Sequence, residues 1–551
     1  MKKFLFFLSI LLFLNILEAK DCQTNGTLSC ADNSDCSSCG GHEKFCECKN
    51  TSKSFLSMRG YFDDPTAPPK VSLIRSTMQQ LQTRNGSIFQ AVPFGGKTMK
   101  PDEIAWYFGP SCKRVLKVSA DPVEPNVDIL AQNLGIYTQN GTFESTFCLS
   151  PQQSFVGLGL NYRTHFGCGD ENKGFFIDLT MPVYSVKNTM NLEEAVTNNG
   201  GGPLVAGGPA NVTQAMNQAA WCFGRIDDAC DIRKTGISMI DVQVGYGWGK
   251  EQAHMHSYLG AIIPTGNKVH SRKLFEPIIG WNHHPAIHFG SSFGIRVWQS
   301  ECADRSIWYE LCIDSRYFFE NKQCRSFDLK GKPWSRYMQV YANQAQAEEA
   351  FLACGSPASC VVTPTPTDGL TIGTPGINIF TQEVKVLPRF QRSYNTAFVV
   401  DFDDFILEGG YNFFSNDQEC VKLACPWEKL VGIKTERQLD GTYVAVDGPA
   451  LKAALNGCGC TNSAQLINKN YRGQNVTAAN YAQNIITADQ IDFGSAEAPG
   501  TLRHWVYGTV GYSIDRSETR TILGVGASYE FAGDNGSVSR WGVWGKAAVI
   551  F

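Results

Sequence analysis

The chain has 551 residues, with 48 Lys and Arg against 52 Asp and Glu, 43% hydrophobic residues, 12% aromatics, 53 glycines and 20 cysteines. A net charge of −4 excludes the basic footprint of a general nucleic-acid binder, and 18% charged residues among plentiful aromatics exclude a disordered chain. Length alone leaves the domain number open, because barrels often exceed the usual domain size as one unit.

Residues 1–19 read as an export signal: Lys2 and Lys3 make a basic start, 4–14 is apolar apart from Ser9, and Ala19 closes a cleavage region in which Leu17 replaces the preferred small residue. That run is shorter than the roughly 20 residues that span a bilayer, and no comparable apolar stretch follows. The mature chain is therefore soluble or a β-barrel. All 20 cysteines lie beyond the signal, an even number that fits disulfides in an oxidising compartment. Six of them, Cys22, Cys30, Cys36, Cys39, Cys46 and Cys48, fall within 20–60 among Gly, Ser, Asn and Asp. So little core needs staples, which makes this a small disulfide-rich segment of open connectivity; zinc held by these thiols and His42 is the less favoured alternative.

Residues 61–124 read as a linking region, periplasmic or a plug, and 125–551 as a barrel. Short helices are expected at 190–195, 211–220 and 342–354, and the Thr/Pro/Gly-rich 355–376 reads as a loop.

The strongest signal has a period of two residues. Val156, Leu158, Leu160 and Tyr162 alternate with Gly157, Gly159, Asn161 and Arg163; the same pattern recurs over 175–181, 240–248, 287–297, 309–316 and 405–413. It returns in three hairpin-linked strands at the end of the chain, over 505–514, 522–531 and 541–551. Weaker candidates lie at 256–264, 335–341 and 394–402, so the expectation is an all-β, antiparallel transmembrane β-barrel of about 12–16 strands. Strands of ten to thirteen residues, tilted by about 45°, project about 25 Å, the height of a membrane-embedded apolar band. One face of each strand carries Gly, Ser, Thr, Glu and Lys where a soluble sandwich would place its core. Aromatics near the strand ends read as interfacial girdles.

The final strand, Trp541-Gly-Val-Trp-Gly-Lys-Ala-Ala-Val-Ile-Phe551, resembles the last strand of bacterial outer-membrane β-barrel proteins. The segment Ala261-Ile-Ile-Pro-Thr-Gly-Asn267 is similar to one met in porin-like and transporter-like barrels, and the cysteine content resembles that of chlamydia-like envelopes. The resemblance implies a location in the bacterial outer membrane and a final aromatic, Phe551, that the barrel-assembly machinery reads. Removing Phe551 is then expected to impair membrane assembly while leaving export intact. Unheated gels of outer membranes check this, and normal assembly of the variant would count heavily against the barrel.

No catalytic or metal site emerges. Gly290-Ser-Ser-Phe-Gly294 matches a nucleophile elbow, but alternation runs through it and Ser292 reads as a pore-facing strand residue. His254 and His256 share a strand face, and His283, His284 and His288 lie close in sequence; without a third ligand at fixed spacing these read as turn and girdle histidines. Asp401, Asp403 and Asp404 read as a solvated strand end.

The register points Arg163, Asp178, Asp241, Glu310, Asp314, Arg316, Glu408, Glu530 and Lys546 inward as pore-lining residues, six acidic to three basic, which suggests weak cation preference. The expected function is a porin-like channel for passive diffusion of small polar solutes, not an enzyme, with no cofactor. Its expected partners are outer-membrane lipid, the assembly machinery and a second copy of the chain, with no nucleic acid. The rival is a structural envelope protein or surface adhesin, anchored by the barrel and cross-linked by disulfides.

Overall fold

A computed structural model describes residues 52–74, 86–110, 113–120, 127–167, 173–204, 206–226, 232–302, 304–341, 374–427, 432–433, 486–516, 519–534 and 538–551. Twelve long strands form the wall: β1 Gly86–Thr98, β2 Gln152–Gly167, β3 Lys173–Thr189, β4 Met239–Lys250, β5 Ala253–Pro264, β6 Ala286–Gln299, β7 Arg305–Phe318, β8 Arg389–Phe402, β9 Phe405–Asn416, β10 Thr501–Asp515, β11 Arg520–Asp534 and β12 Arg540–Ile550. Each pairs antiparallel with the next, and β12 pairs back onto β1, so the sheet closes and has no free edge. The backbone N–H of Ser87 donates to the carbonyl of Phe551 at 2.7 Å, and the Phe551 N–H donates to that of Ser87 at 3.0 Å, completing the seam.

Alternation sets which face each residue takes. Val156, Phe175, Val244, Leu259 and Val525 stand outward, Leu259 with 72% of its surface exposed, while Asn161, Asp178 and Glu310 between such positions are buried inside. At one end consecutive strands are only two to five residues apart in sequence, with 168–172, 251–252, 300–304, 403–404 and 516–519 between them. In the 403–404 turn Asp403 takes left-handed backbone at φ 52°, which Asp tolerates better than most residues. At the other end β11 and β12 are five residues apart and the other five connections are long. They converge into a cap with its own core, in which Ile104, Phe147, Trp221, Phe275, Trp334 and Tyr337 pack together.

Several expectations are corrected here. The first strand, β1, lies inside the stretch read as a linking region. Its sequence lacks alternation because Val92 and Phe94 face an apolar interior and Pro93 breaks the pattern. Residues 335–341 form a 3-10 turn, Ser335–Tyr337, and a three-residue strand, Gln339–Tyr341, in the cap. The 190–195 helix is replaced by a cap strand, Glu193–Asn198, and the 211–220 helix shrinks to one turn, Val212–Ala215, capped by the Asn211 side chain. The 342–354 helix, the loop up to 373 and the six cysteines of 20–60 lie outside the described residues. Cys148, Cys222, Cys302, Cys324 and Cys425 have no disulfide partner among the described residues.

Candidate functional site: the occupied lumen

The interior of the barrel is filled by residues 52–74. The segment starts at the cap, where the Ser52 hydroxyl donates to Asp328 at 2.8 Å and the Arg325 guanidinium lies 3.1 Å from the Phe55 ring centroid. Burial pushes the Arg325 pKa down, with Glu419 opposing the shift. Burial likewise holds the nearby His284 imidazole down at about 4; its Nδ1 lies 2.8 Å from the Phe319 carbonyl. The segment ends toward the short turns, where Leu73 lies over Gly511 and Gly524.

Aromatic packing holds the first half. Tyr61 stacks among Phe94, Phe155 and Trp505 with centroids 5.6, 4.9 and 5.0 Å away, and its hydroxyl meets Ser528 at 2.7 Å. Phe62 stacks on Phe94 at 5.8 Å. Such contacts contribute roughly 0.5–1.5 kcal/mol each beyond the area they bury. Inward glycines make the room: a Cβ on Gly159 would lie 2.4 Å from the Phe62 ring, and one on Gly542 would lie 2.4 Å from that of Tyr61. Trp505 and Trp544 therefore pack inside the lumen and not in an interfacial girdle.

Charge and hydrogen bonding hold the second half. Asp64 pairs with Arg59 at 2.9 Å and with Arg316 on β7 at 2.7 Å, all buried. Asp63 accepts from Tyr184 and Ser238 at 2.7 and 2.8 Å. The Asn395 side chain donates to the Thr66 carbonyl at 3.1 Å, and the Leu73 N–H donates to Glu408 at 2.7 Å. Lys546 donates to the carbonyls of Lys70 and Ser72. The short helix Pro68–Val71 begins with prolines, which lack the N–H groups that a helix start would leave unsatisfied.

All nine charged residues placed inward by the register are buried in this interior. Asp178 pairs with Arg163 at 2.7 Å, Asp314 with Arg316 at 3.0 Å, and Glu530 with Arg540. They face a packed segment here, not an open water-filled bore. His288 bridges Asp241 and Asp314 at 2.8 and 2.9 Å, and His254 meets Glu310 at 3.2 Å. His254, His256 and His288 are thus buried lumen residues, which corrects their reading as turn and girdle histidines. Among the described residues no cluster suits a metal.

Period-2 reading left out Arg59, Asp63, Asp64 and Lys70, whose segment has no periodicity. It also left out Arg503 and Arg540, although both sit on the inward register of β10 and β12, two residues beyond Trp505 and Gly542. Extending the 505–514 strand by two residues and the 541–551 strand by one reaches them.

An even number of antiparallel strands, an outward apolar band, a polar interior, and short turns opposed to long connections define the architecture. The fold is an outer-membrane β-barrel. Solved barrels of this kind are similar in outline. An outer membrane channel from Pseudomonas putida F1 matches at 7% identity and a TM-score of 0.37, over 86% of this chain and 98% of that one. A FadL homologue from Pseudomonas aeruginosa matches at 7% and 0.28 over 91% and 98%, and the transport unit of the Escherichia coli autotransporter AIDA-I at 8% and 0.27 over 86% and 96%. Superpositions this loose speak to neither substrate nor mechanism. No family model and no curated protein matches the chain.

Proposed function

We propose that this barrel is a gated outer-membrane channel for passive diffusion of small polar solutes, closed in this conformation by residues 52–74. The observation that carries the reading is how the lumen is filled. Within the barrel the occupying segment is held to the wall by side-chain contacts and is no part of the strand ladder, so it can move without opening that ladder. Once it moves, it uncovers a bore lined by the nine charged residues, whose side chains set selectivity. The function needs no catalytic group or cofactor. Lipid surrounds the wall, the assembly machinery folds it, and the short turns face the periplasm, as in other barrels of this class.

The test is conductance in planar bilayers of the wild type and of Gly159→Leu, whose side chain needs the volume held by Phe62. The wild type is expected to be mostly silent and the variant to show stepwise currents. A folded, heat-modifiable variant as silent as the wild type would sink the channel reading and leave the barrel as an anchor.

A further inference from the structure

Beside the occupying segment lies a cavity of about 40 Å³ bounded by Lys70, Gln90, Arg163, Asp178, Gln243 and Tyr258, among others. It is large enough for a few waters. The Lys70 side chain is 5% exposed, and its ammonium stands 3.6 Å from Asp178 and 3.9 Å from Asp241, both carboxylates being fully buried. Those distances exceed hydrogen-bond length, so the ammonium compensates charge without being seated on either group. Each carboxylate also has a partner in the wall: Arg163 for Asp178 at 2.7 Å, and His288 for Asp241 at 2.8 Å. A second feature marks the same place. The side-chain oxygen of Gln90, on a residue with no exposed surface, has no hydrogen-bond partner, while its amide nitrogen donates to Asn161 at 2.9 Å.

We infer that Asp178, Asp241 and the Gln90 oxygen form a binding site for a primary ammonium group on the solute path, and that Lys70 is its tethered occupant in the closed state. This rests on the channel reading and names the solute class that the channel favours, small amines in their cationic form. Asp178 and Gln90, which line the cavity, and Asp241, 3.9 Å from the ammonium that reaches it, offer three acceptors to match the three N–H donors of a primary ammonium, which a quaternary ammonium lacks. Lys70 reaches the site from a segment anchored on β8, β9 and β12, strands that carry none of the three acceptors, so withdrawing the segment vacates the site while leaving its acceptors in place.

Two measurements test this, one of them independent of conduction. In Lys70→Ala, millimolar methylammonium is expected to raise the temperature of heat modification on gels, while tetramethylammonium does not, and neither alters the wild type. In the open variant Gly159→Leu, methylammonium is expected to block potassium current saturably, with the block weakened several-fold by Asp178→Asn or Asp241→Asn. Lack of rescue in Lys70→Ala, equal rescue by tetramethylammonium, or a block indifferent to both aspartates would each overturn the site. Open variants that conduct with no aspartate-dependent block overturn the site alone; open variants that never conduct overturn the channel reading, while rescue still reports on the site.

Discussion

Asp64→Ala is expected to release the occupying segment and to lower barrel stability by about 3–5 kcal/mol, the usual cost of removing one member of a buried ion pair. Asp64 is the shared counter-ion of two buried guanidiniums, Arg59 on the segment and Arg316 on the wall, at 2.9 and 2.7 Å. It also accepts from the Thr66 N–H at 2.9 Å and so shapes the turn before the helix Pro68–Val71. Without it, two positive charges face each other in an interior of low dielectric, and the cheapest relief is for the segment carrying Arg59 to leave. The expected readouts are a lower heat-modification temperature and conductance where the wild type is silent. Asp64→Asn, which keeps the acceptor for Thr66 but loses the charge, should fall between the two. Wild-type stability and silence in Asp64→Ala would mean that the aromatic packing around Tyr61 and the hydrogen bonds of Asp63, Thr66, Lys70, Ser72 and Leu73 retain the segment without this ion pair.

Leu259→Arg is expected to cost roughly 2–4 kcal/mol in a bilayer, the range for a cation at the midplane of a barrel's lipid face. Leu259 lies midway along β5 and is 72% exposed on the outer wall. Leu259→Ala should be nearly neutral, since it leaves no charge in hydrocarbon. Urea unfolding in lipid vesicles separates the two, and equal stability would mean that this face does not meet lipid.

Much of the wall was legible because its two sides face solvents of opposite character. Along β4, Val242 and Val244 alternate with Asp241 and Gln243, and that contrast is a property of the sequence before any packing occurs. Legibility fails where the lumen is not polar. The inward residues of β1 include Ile88, Val92 and Phe94, because they pack against Tyr61, Phe62, Leu73 and Ile74; with both faces apolar, no alternation survives to be read. His288 shows the same limit for single residues. Its inward position follows from register, but its bridge between Asp241 and Asp314 depends on how β4, β6 and β7 stagger around the barrel.

The six-to-three acidic excess in the lumen likewise changes meaning in three dimensions. Lys70 from the segment answers Asp178 and Asp241, while Arg503 and Arg540 answer Glu530. The amino-acid sequence by itself determined the strand periodicity, the side of the wall that each charged residue takes and the membrane-spanning length, since these follow from local alternation and the rise per residue. Only the tertiary structure decided that the barrel closes at twelve strands through β1 and that residues 52–74 occupy its lumen. Closure depends on pairing between strands more than 400 residues apart, and the filling depends on glycine-made space and ion pairs contributed by strands scattered around the wall; local sequence carries neither.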